Sequence, residues 1–274
     1  MRPDQLRLLV RVLVFVLLAV LGQMVFPALM RPFGDLLVVA ALSSFAAGAV
    51  ANAVLVRGWE SGKPSEFGLG WSRDTGREAA TGIACGAGGA ALIAGISLAL
   101  RMATFESVPT AARGWSGIVS IPVLAIVLLF GAVGEELLFH GYAFQQLVRG
   151  VGEFAIVLPV GIVFGLAHMG NQGVTLLAIF NTMAWGVLLG CAYLRTRALW
   201  LSIGLHFGWN VAMPLLGVNL SGFTMGVTGY ALRWQTTDLW SGGAYGLEGG
   251  LCTTLVVMAL FFLLYRVIPE RGNL

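Results

Sequence analysis

The sequence predicts an all-α polytopic membrane protein, a bundle of about eight transmembrane helices around a polar intramembrane cavity. Hydrophobic residues make up 58% of the chain and charged residues only 11%, whereas about a quarter of the residues in a soluble domain are charged. Carboxylates and histidines nevertheless occur inside the apolar runs. Such costly groups usually face the interior of a helix bundle, so they indicate a functional cavity.

Apolar runs of about 20 residues, the length that crosses the hydrocarbon core of a bilayer, give the helices in chain order. We predict spans at Val12–Met30, Leu36–Val56, Ala79–Met102, Ser116–Leu147, Phe154–Met169, Val174–Leu194, Leu199–Gly217 and Leu251–Ile268. What remains is too short for a soluble domain, so residues 1–274 are predicted to form a single transmembrane domain. The first run is long and no small-residue cleavage site follows it, so we predict an anchor rather than a signal peptide.

Basic residues predict the orientation, because Arg and Lys collect in cytoplasmic loops. With eight spans, one side holds Arg2, Arg7, Arg11, Arg57, Lys63, Arg73, Arg77, Arg149, Arg195, Arg197, Arg266 and Arg271. The other side holds Arg31, Arg101, Arg113 and Arg233. We therefore predict an integral, multi-pass membrane protein with both termini in the cytoplasm.

The net charge of +3 suits loops beside anionic lipid and requires no nucleic-acid partner. Membrane lipid is therefore the predicted partner of the surface. A composition rich in Ala, Gly, Val and Arg, with a single lysine, further indicates a prokaryotic plasma membrane.

Small residues and cysteines in the spans predict packing rather than chemistry. A G-x-x-x-G pattern occurs in the third span and in the sixth, at Gly82/Gly86 and Gly186/Gly190, and this pattern lets helices approach closely. The three cysteines each stand alone in an apolar run, so neither a disulfide framework nor a thiolate metal site is expected.

The segment Val218–Gly250 is the longest connection and is rich in Gly, Trp and Tyr. Aromatic residues settle at membrane interfaces, which leaves two interpretations open: a lid over a membrane cavity, or an interfacial re-entrant loop. Glu248 near its end is predicted to cap the last helix, where a carboxylate favours the positive end of the helix dipole.

The polar residues of the fourth span define a candidate site. Glu135 and Glu136 are adjacent there, and His140 follows. Glu136 and His140 are four residues apart and share a helix face, whereas Glu135 points about 100° away from Glu136. The two glutamates are therefore predicted to face different surroundings.

Helical rise places further polar groups near Glu135. A glycine-flanked turn at Gly150–Gly152 joins the fourth and fifth spans, with Glu135 15 residues before it and His168 16 residues after it. At about 1.5 Å per residue, both lie roughly 22–24 Å from the turn. His206 and Asn210 lie roughly 14–20 Å above the next turn on that side. The geometry therefore allows these four side chains to cluster inside the membrane.

Such a cluster has the groups needed for hydrolysis of a peptide bond. An apolar cavity disfavours the charged form of a carboxylate, which makes Glu135 a suitable general base toward water. Histidine and asparagine side chains can donate hydrogen bonds to the developing oxyanion. The same His/His/Glu set could instead hold a divalent metal such as zinc that polarises the water. The residues leave both routes open, with a divalent metal or with no cofactor.

These residues also carry a family resemblance. Three segments, EELLFHG from Glu135, FGLAH ending at His168 and HFGWN ending at Asn210, resemble the signature of the CPBP (CAAX protease and bacteriocin-processing, Abi) family of intramembrane proteases. That signature is E-E-x-x-x-R, F-x-x-x-H and H-x-x-x-N/D on separate transmembrane helices, and it occurs in type II CAAX prenyl endopeptidases. The similarity spans roughly Gly134–Asn210, within a motif-bearing core of about 116–217. It implies an eight-helix fold and a protease.

The resemblance also implies roles for the residues that match. Glu135 would activate the water, and Glu136 would assist it or orient its neighbours. His168 and His206 would bind the water, the oxyanion or a metal. Asn210 would help to hold the oxyanion. The substrate would be a peptide or protein whose identity, including any prenyl group, the sequence does not specify.

His140 departs from the signature, which has arginine at this position. Arginine forms two parallel hydrogen bonds to a carboxylate, a bidentate geometry that histidine cannot reproduce. A non-catalytic membrane scaffold or immunity-type protein of the same fold is therefore an alternative function. A transporter that uses the Glu/His cluster as a relay is less favoured, because the inverted repeats common in transporters are not evident in the sequence.

Overall fold

The computed structural model describes residues 3–108 and 121–268, so the start of the predicted fourth span lies outside the described residues. The helices are α1 Pro3–Met30, α2 Leu36–Trp59, α3 Thr75–Ala99, α4 Ile121–Phe139, α5 Tyr142–Val151, α6 Glu153–Ala167, α7 Leu176–Thr196, α8 Trp200–Leu215, α9 Asp238–Ser241 and α10 Leu251–Val267. Two strands, β1 Ala103–Ser107 and β2 Tyr230–Trp234, complete the regular elements.

The predicted class, an all-α polytopic membrane protein, is confirmed. Within the described residues, five helical stretches are long and apolar enough to cross a membrane: Asp4–Phe33, Leu36–Trp59, Thr75–Ala99, Ile121–Val151 and Leu176–Thr196. The helices α6, α8 and α10 are shorter, with 15, 16 and 17 residues, below the roughly 20 residues that span a bilayer without adjustment. Each predicted span contains a helix, but the number of full crossings stays a prediction.

The prediction of one continuous fourth helix is wrong, because the chain turns at His140 and Gly141 between α4 and α5. The buried side chain of Asn52 satisfies the backbone at this break. Its amide donates to the carbonyl oxygen of Leu137 at 2.9 Å, and its oxygen accepts from the backbone N–H of Tyr142 at 2.8 Å. A Cβ on Gly141 would clash with the Leu137 oxygen. Apolar composition continues across the break, which is why the sequence does not indicate it.

The two strands pair antiparallel, with Ala103 opposite Trp234 and Ser107 opposite Tyr230. This small sheet was not predicted, because its strands come from connections more than 100 residues apart in the chain. It ties the connection that follows α3 to the Val218–Gly250 segment. That segment is therefore folded against the helices rather than extended.

Among the described helices, α3 and α8 make the most extensive contact. Gly82 and Gly86 of α3 face the backbone of α8, and Gly204 and Gly208 of α8 face the backbone of α3. A Cβ on Gly86 would clash with the carbonyl oxygen of Leu205. The predicted packing role of the glycines in the third span is confirmed, and this contact fixes the position of α8, which carries two of the predicted site residues.

We expect Gly86→Ala to lower the free energy of unfolding by about 1–3 kcal/mol, because the added methyl group must push two backbones apart. Gly88→Ala is the matched control, since a Cβ at Gly88 meets nothing within 4 Å. The control is expected to leave stability unchanged or to raise it slightly, because alanine is the better helix former. Unfolding of the two variants in detergent checks this, and equal losses would contradict the packing role.

Candidate active site

A cavity of about 250 Å³ opens inside the helix bundle. Residues of α1, α2, α4, α6, α7 and α8 line it, together with residues of the Val218–Gly250 segment. Among its lining residues are four of the predicted site residues, Glu135, His168, His206 and Asn210. The fifth, Glu136, is fully buried behind this surface.

The structure brings Glu135, His168 and His206 together, as their spacing predicted. The Oε2 atom of Glu135 lies 3.8 Å from Nε2 of His168 and 3.7 Å from Nε2 of His206. This oxygen is buried and has no hydrogen-bond partner among the described residues. A buried polar atom without a partner is rare and calls for a missing ligand or water. Oε2 of Glu135 and the Nε2 atoms of His168 and His206 thus face one another across a gap that no described side chain fills.

Glu136 has the opposite environment, since both of its oxygens are bonded. Its Oε2 lies 2.9 Å from Nδ1 of His140, and its Oε1 lies 2.9 Å from Nδ1 of His206. The other nitrogen of His140 lies 3.2 Å from the carbonyl oxygen of Gly186. A carbonyl oxygen only accepts, so this Nε2 carries hydrogen, and a second proton lies between Nδ1 and Glu136. The predicted pairing of Glu136 with His140 is confirmed.

The orientation of His168 is fixed by its own helix. Its Nδ1 lies 2.8 Å from the carbonyl oxygen of Phe164, four residues earlier. Because that oxygen accepts, Nδ1 is the donor, and in the neutral ring the lone pair of Nε2 faces Glu135. The same reasoning applies to His206, whose Nδ1 faces the Glu136 carboxylate. Both rings therefore turn the same nitrogen toward the gap.

Phe164 packs beside the site, as predicted. Its ring centroid lies 4.9 Å from that of His168 and 6.0 Å from that of His206. Gly186 of α7 lies against the Phe164 side chain, which confirms the packing role of that glycine. Asn210 lines the cavity one residue after Trp209, and its predicted role toward an oxyanion stays a prediction.

The donor types around the gap are those that zinc prefers, although two of their spacings are about 0.3–0.4 Å wider than in a tetrahedral site. With bonds of about 2.0–2.1 Å and tetrahedral angles, two ligand atoms lie about 3.4 Å apart, less than the 3.7 and 3.8 Å found here. Across the described residues, no group of three His, Cys, Asp or Glu side chains is arranged to hold a metal ion. Two atoms bonded to one water at about 2.8 Å and near-tetrahedral angles lie about 4.6 Å apart, so water fits these spacings no better than zinc does.

Glu248 is a cavity residue that the sequence did not reveal. The predicted cap on α10 is wrong, because α10 has no side-chain cap. The carboxylate instead accepts from the N–H and the hydroxyl of Ser221, at 2.6 and 2.8 Å, and from Nε1 of Trp209 at 3.3 Å. Burial raises the pKa of Glu248, and the bonds from Ser221 act in the opposite direction. The sequence signal was a carboxylate inside a segment for which a lid was one of two interpretations.

The structure is that of a polytopic membrane protein whose cavity brings together a carboxylate and two histidines. The sequence model of the family described as type II CAAX prenyl endopeptidase Rce1-like matches residues 117–212. This confirms the predicted resemblance over the region that carries all three motifs, and it points to protease activity. A search of curated proteins gives no match for the chain.

We expect His140→Leu to lower the free energy of unfolding by about 3–5 kcal/mol, because Glu136 then keeps a buried charge with one partner fewer. His168→Leu is the matched control, since it removes a single bond to a carbonyl at a partly exposed position, worth about 1 kcal/mol. Adding Glu136→Gln to His140→Leu is expected to restore part of the loss. Denaturant unfolding in detergent measures all three, and a loss no larger than that of the control would refute the ion-pair interpretation.

Proposed function

We propose that this protein is an intramembrane endopeptidase that hydrolyses a peptide bond with water activated by Glu135. The observation that carries this proposal is the buried Oε2 of Glu135, which has no partner among the described residues and faces one nitrogen each of His168 and His206. The match of residues 117–212 to an endopeptidase family supports the same reaction class.

The first step needs a water molecule held between these three side chains. One hydrogen of the water points to Oε2 of Glu135, which accepts the proton that leaves, and the other points to the lone pair of one ring nitrogen. The water oxygen then attacks the carbonyl carbon of the substrate peptide. Holding water and base in place before substrate arrives removes much of the entropic cost of the step.

The second step collapses the tetrahedral intermediate. Its oxyanion requires hydrogen-bond donors, and the amide of Asn210 on the cavity wall is one candidate donor. A histidine ring that takes up a proton is another. When the C–N bond breaks, the protonated Glu135 gives its proton to the leaving amine, so the products are a carboxylic acid and an amine. Glu136 touches no substrate in this scheme and positions His206.

The proposed substrate is a segment of a peptide or protein that reaches the cavity from the membrane. The name of the matching family refers to prenylated CAAX proteins, which are one candidate class. A divalent metal held by Glu135, His168 and His206 would polarise the same water; the steps above use the side chains alone. We also propose cytoplasmic termini and a prokaryotic plasma membrane, in line with the basic residues and composition.

A non-catalytic scaffold of the same fold is the second candidate, and His140 is the observation that favours it. The family signature has arginine at this position, and a scaffold would be free to lose that residue. The cavity argues against it, because a scaffold has no use for a buried carboxylate oxygen without a partner. The two candidates differ in whether Glu135 matters for anything beyond stability.

We expect Glu135→Gln to abolish peptide cleavage, with a loss of at least about 100-fold, because an amide cannot accept the proton from water. The test compares wild type and variant in detergent on a diverse peptide library read by mass spectrometry. Glu106→Gln is the matched control, since it removes one exposed carboxylate of β1 far from the cavity lining. All three proteins must first elute alike on size exclusion.

Defined cuts by wild type and by the control, absent from Glu135→Gln, support the proposal. Cuts that persist in Glu135→Gln would refute it. No cleavage by any of the three proteins, with and without added zinc, would favour the non-catalytic scaffold. Loss of wild-type cleavage on treatment with a chelator would instead show that a metal takes part and would overturn the metal-free scheme.

A further inference from the structure

We propose that Glu248 forms an acidic subsite in the cavity that binds a cationic side chain, lysine or arginine, of the substrate. This inference rests on the proposed function and adds a substrate preference to it. Glu248 lies outside residues 117–212, yet it lines the same cavity as Glu135 and His168.

The carboxylate of Glu248 is held firmly by its neighbours. Both Ser221 bonds go to Oε2, and the Trp209 bond goes to Oε1. The backbone on either side is also fixed, because the amide of Asn181 on α7 donates to the carbonyl oxygens of Glu248 and Gly250 at 2.8 and 2.9 Å. The side chain therefore has one position relative to the cavity wall.

These bonds leave one acceptor site free. An ionised carboxylate offers about four lone-pair sites, and three neutral donors are bonded to this one. The longest of the three bonds is on Oε1, at 3.3 Å, so this oxygen retains capacity for a further donor. The bonds from Ser221 and Trp209 lower the pKa of Glu248, against the rise that burial causes.

No arginine or lysine among the described residues neutralises Glu248, although the charge interaction with His168 lowers the pKa of this carboxyl. Among the described residues, it takes part in no ion pair with Arg or Lys, and none of the described cavity-lining residues is Arg or Lys. A buried carboxylate without a cation is costly. A cation that entered the cavity would therefore stabilise the ionised form of Glu248 and bond to its free acceptor site.

The surroundings of Glu248 also suit a cation. Trp209, which donates to Glu248, packs against Trp185 with ring centroids 4.8 Å apart, and both indoles line the cavity. Aromatic faces beside a carboxylate attract ammonium and guanidinium groups. The second carboxylate of the cavity, Glu135, adds to the negative potential. A substrate residue with a positive charge is therefore the complementary ligand.

The test uses peptide pairs that differ in one residue, lysine or its uncharged isostere norleucine, at each position around a bond that the wild type cuts. We expect wild type to prefer the lysine peptide at one position by about tenfold or more in kcat/KM, the effect of one buried charge pair. Glu248→Gln is expected to reduce this preference to about twofold while still cutting the norleucine peptide.

Two controls separate charge from structure. Glu106→Gln removes a carboxylate elsewhere, and Ser221→Ala removes one hydrogen bond to Glu248 but keeps its charge. Both are expected to retain the lysine preference. Equal loss of cleavage on both peptides in Glu248→Gln would overturn the subsite and make Glu248 a positioning residue. An unchanged preference in Glu248→Gln would overturn it as well.

A binding measurement keeps this inference separate from the proposed function. The inactive Glu135→Gln protein, with and without Glu248→Gln, is titrated with a short leucine–alanine peptide that carries one lysine and with its norleucine twin. Tighter binding of the lysine peptide that Glu248→Gln removes supports the subsite even if no peptide is cut. A lysine peptide that binds no tighter than its twin overturns the subsite even if cleavage is established.

Discussion

The bonds from buried Glu136 to two histidines are the interaction on which the site depends. One oxygen binds His140 in the turn after α4, and the other binds His206 of α8. A carboxylate at this depth is tolerable only when its charge and both of its oxygens are satisfied. The pair of bonds therefore holds α4 and α8 in one arrangement, and Glu135, one residue earlier, is turned into the cavity. The two adjacent glutamates therefore differ in environment: both oxygens of Glu136 are bonded, whereas Oε2 of Glu135 has no hydrogen-bond partner among the described residues.

Several features that seem unrelated to chemistry support this arrangement. The helix break at Gly141 lets His140 fold back against α7, where its ring lies 3.5 Å from the position of a Cβ on Gly190. Asn52 of α2 satisfies the interrupted backbone. The glycines between α3 and α8 allow α8 to sit close enough for His206 to reach both glutamates. Small residues therefore set the distances between helices, and these distances bring the polar side chains within reach of one another.

The cavity is lined by two parts of the chain, one inside and one outside the region that the family model matches. Its reactive groups come from α4, α6 and α8, within the region similar to type II CAAX prenyl endopeptidases. Its other wall comes from the Val218–Gly250 segment, which β2 attaches to β1 and Asn181 attaches to α7. The folded segment thus closes one side of the cavity and adds Glu248 from outside the motifs.

The sequence by itself determined the membrane class and the approximate helix positions, because hydropathy is a local property. It also indicated the grouping of Glu135, His168 and His206, because helical rise fixes which residues lie at the same depth. It could not reveal the break at Gly141, since apolar composition runs through it and the Asn52 bonds that permit it come from another helix. Nor could it place Glu248, whose partners Ser221 and Trp209 are 27 and 39 residues away. Contacts between distant segments depend on how the helices pack, and only the tertiary structure decides them.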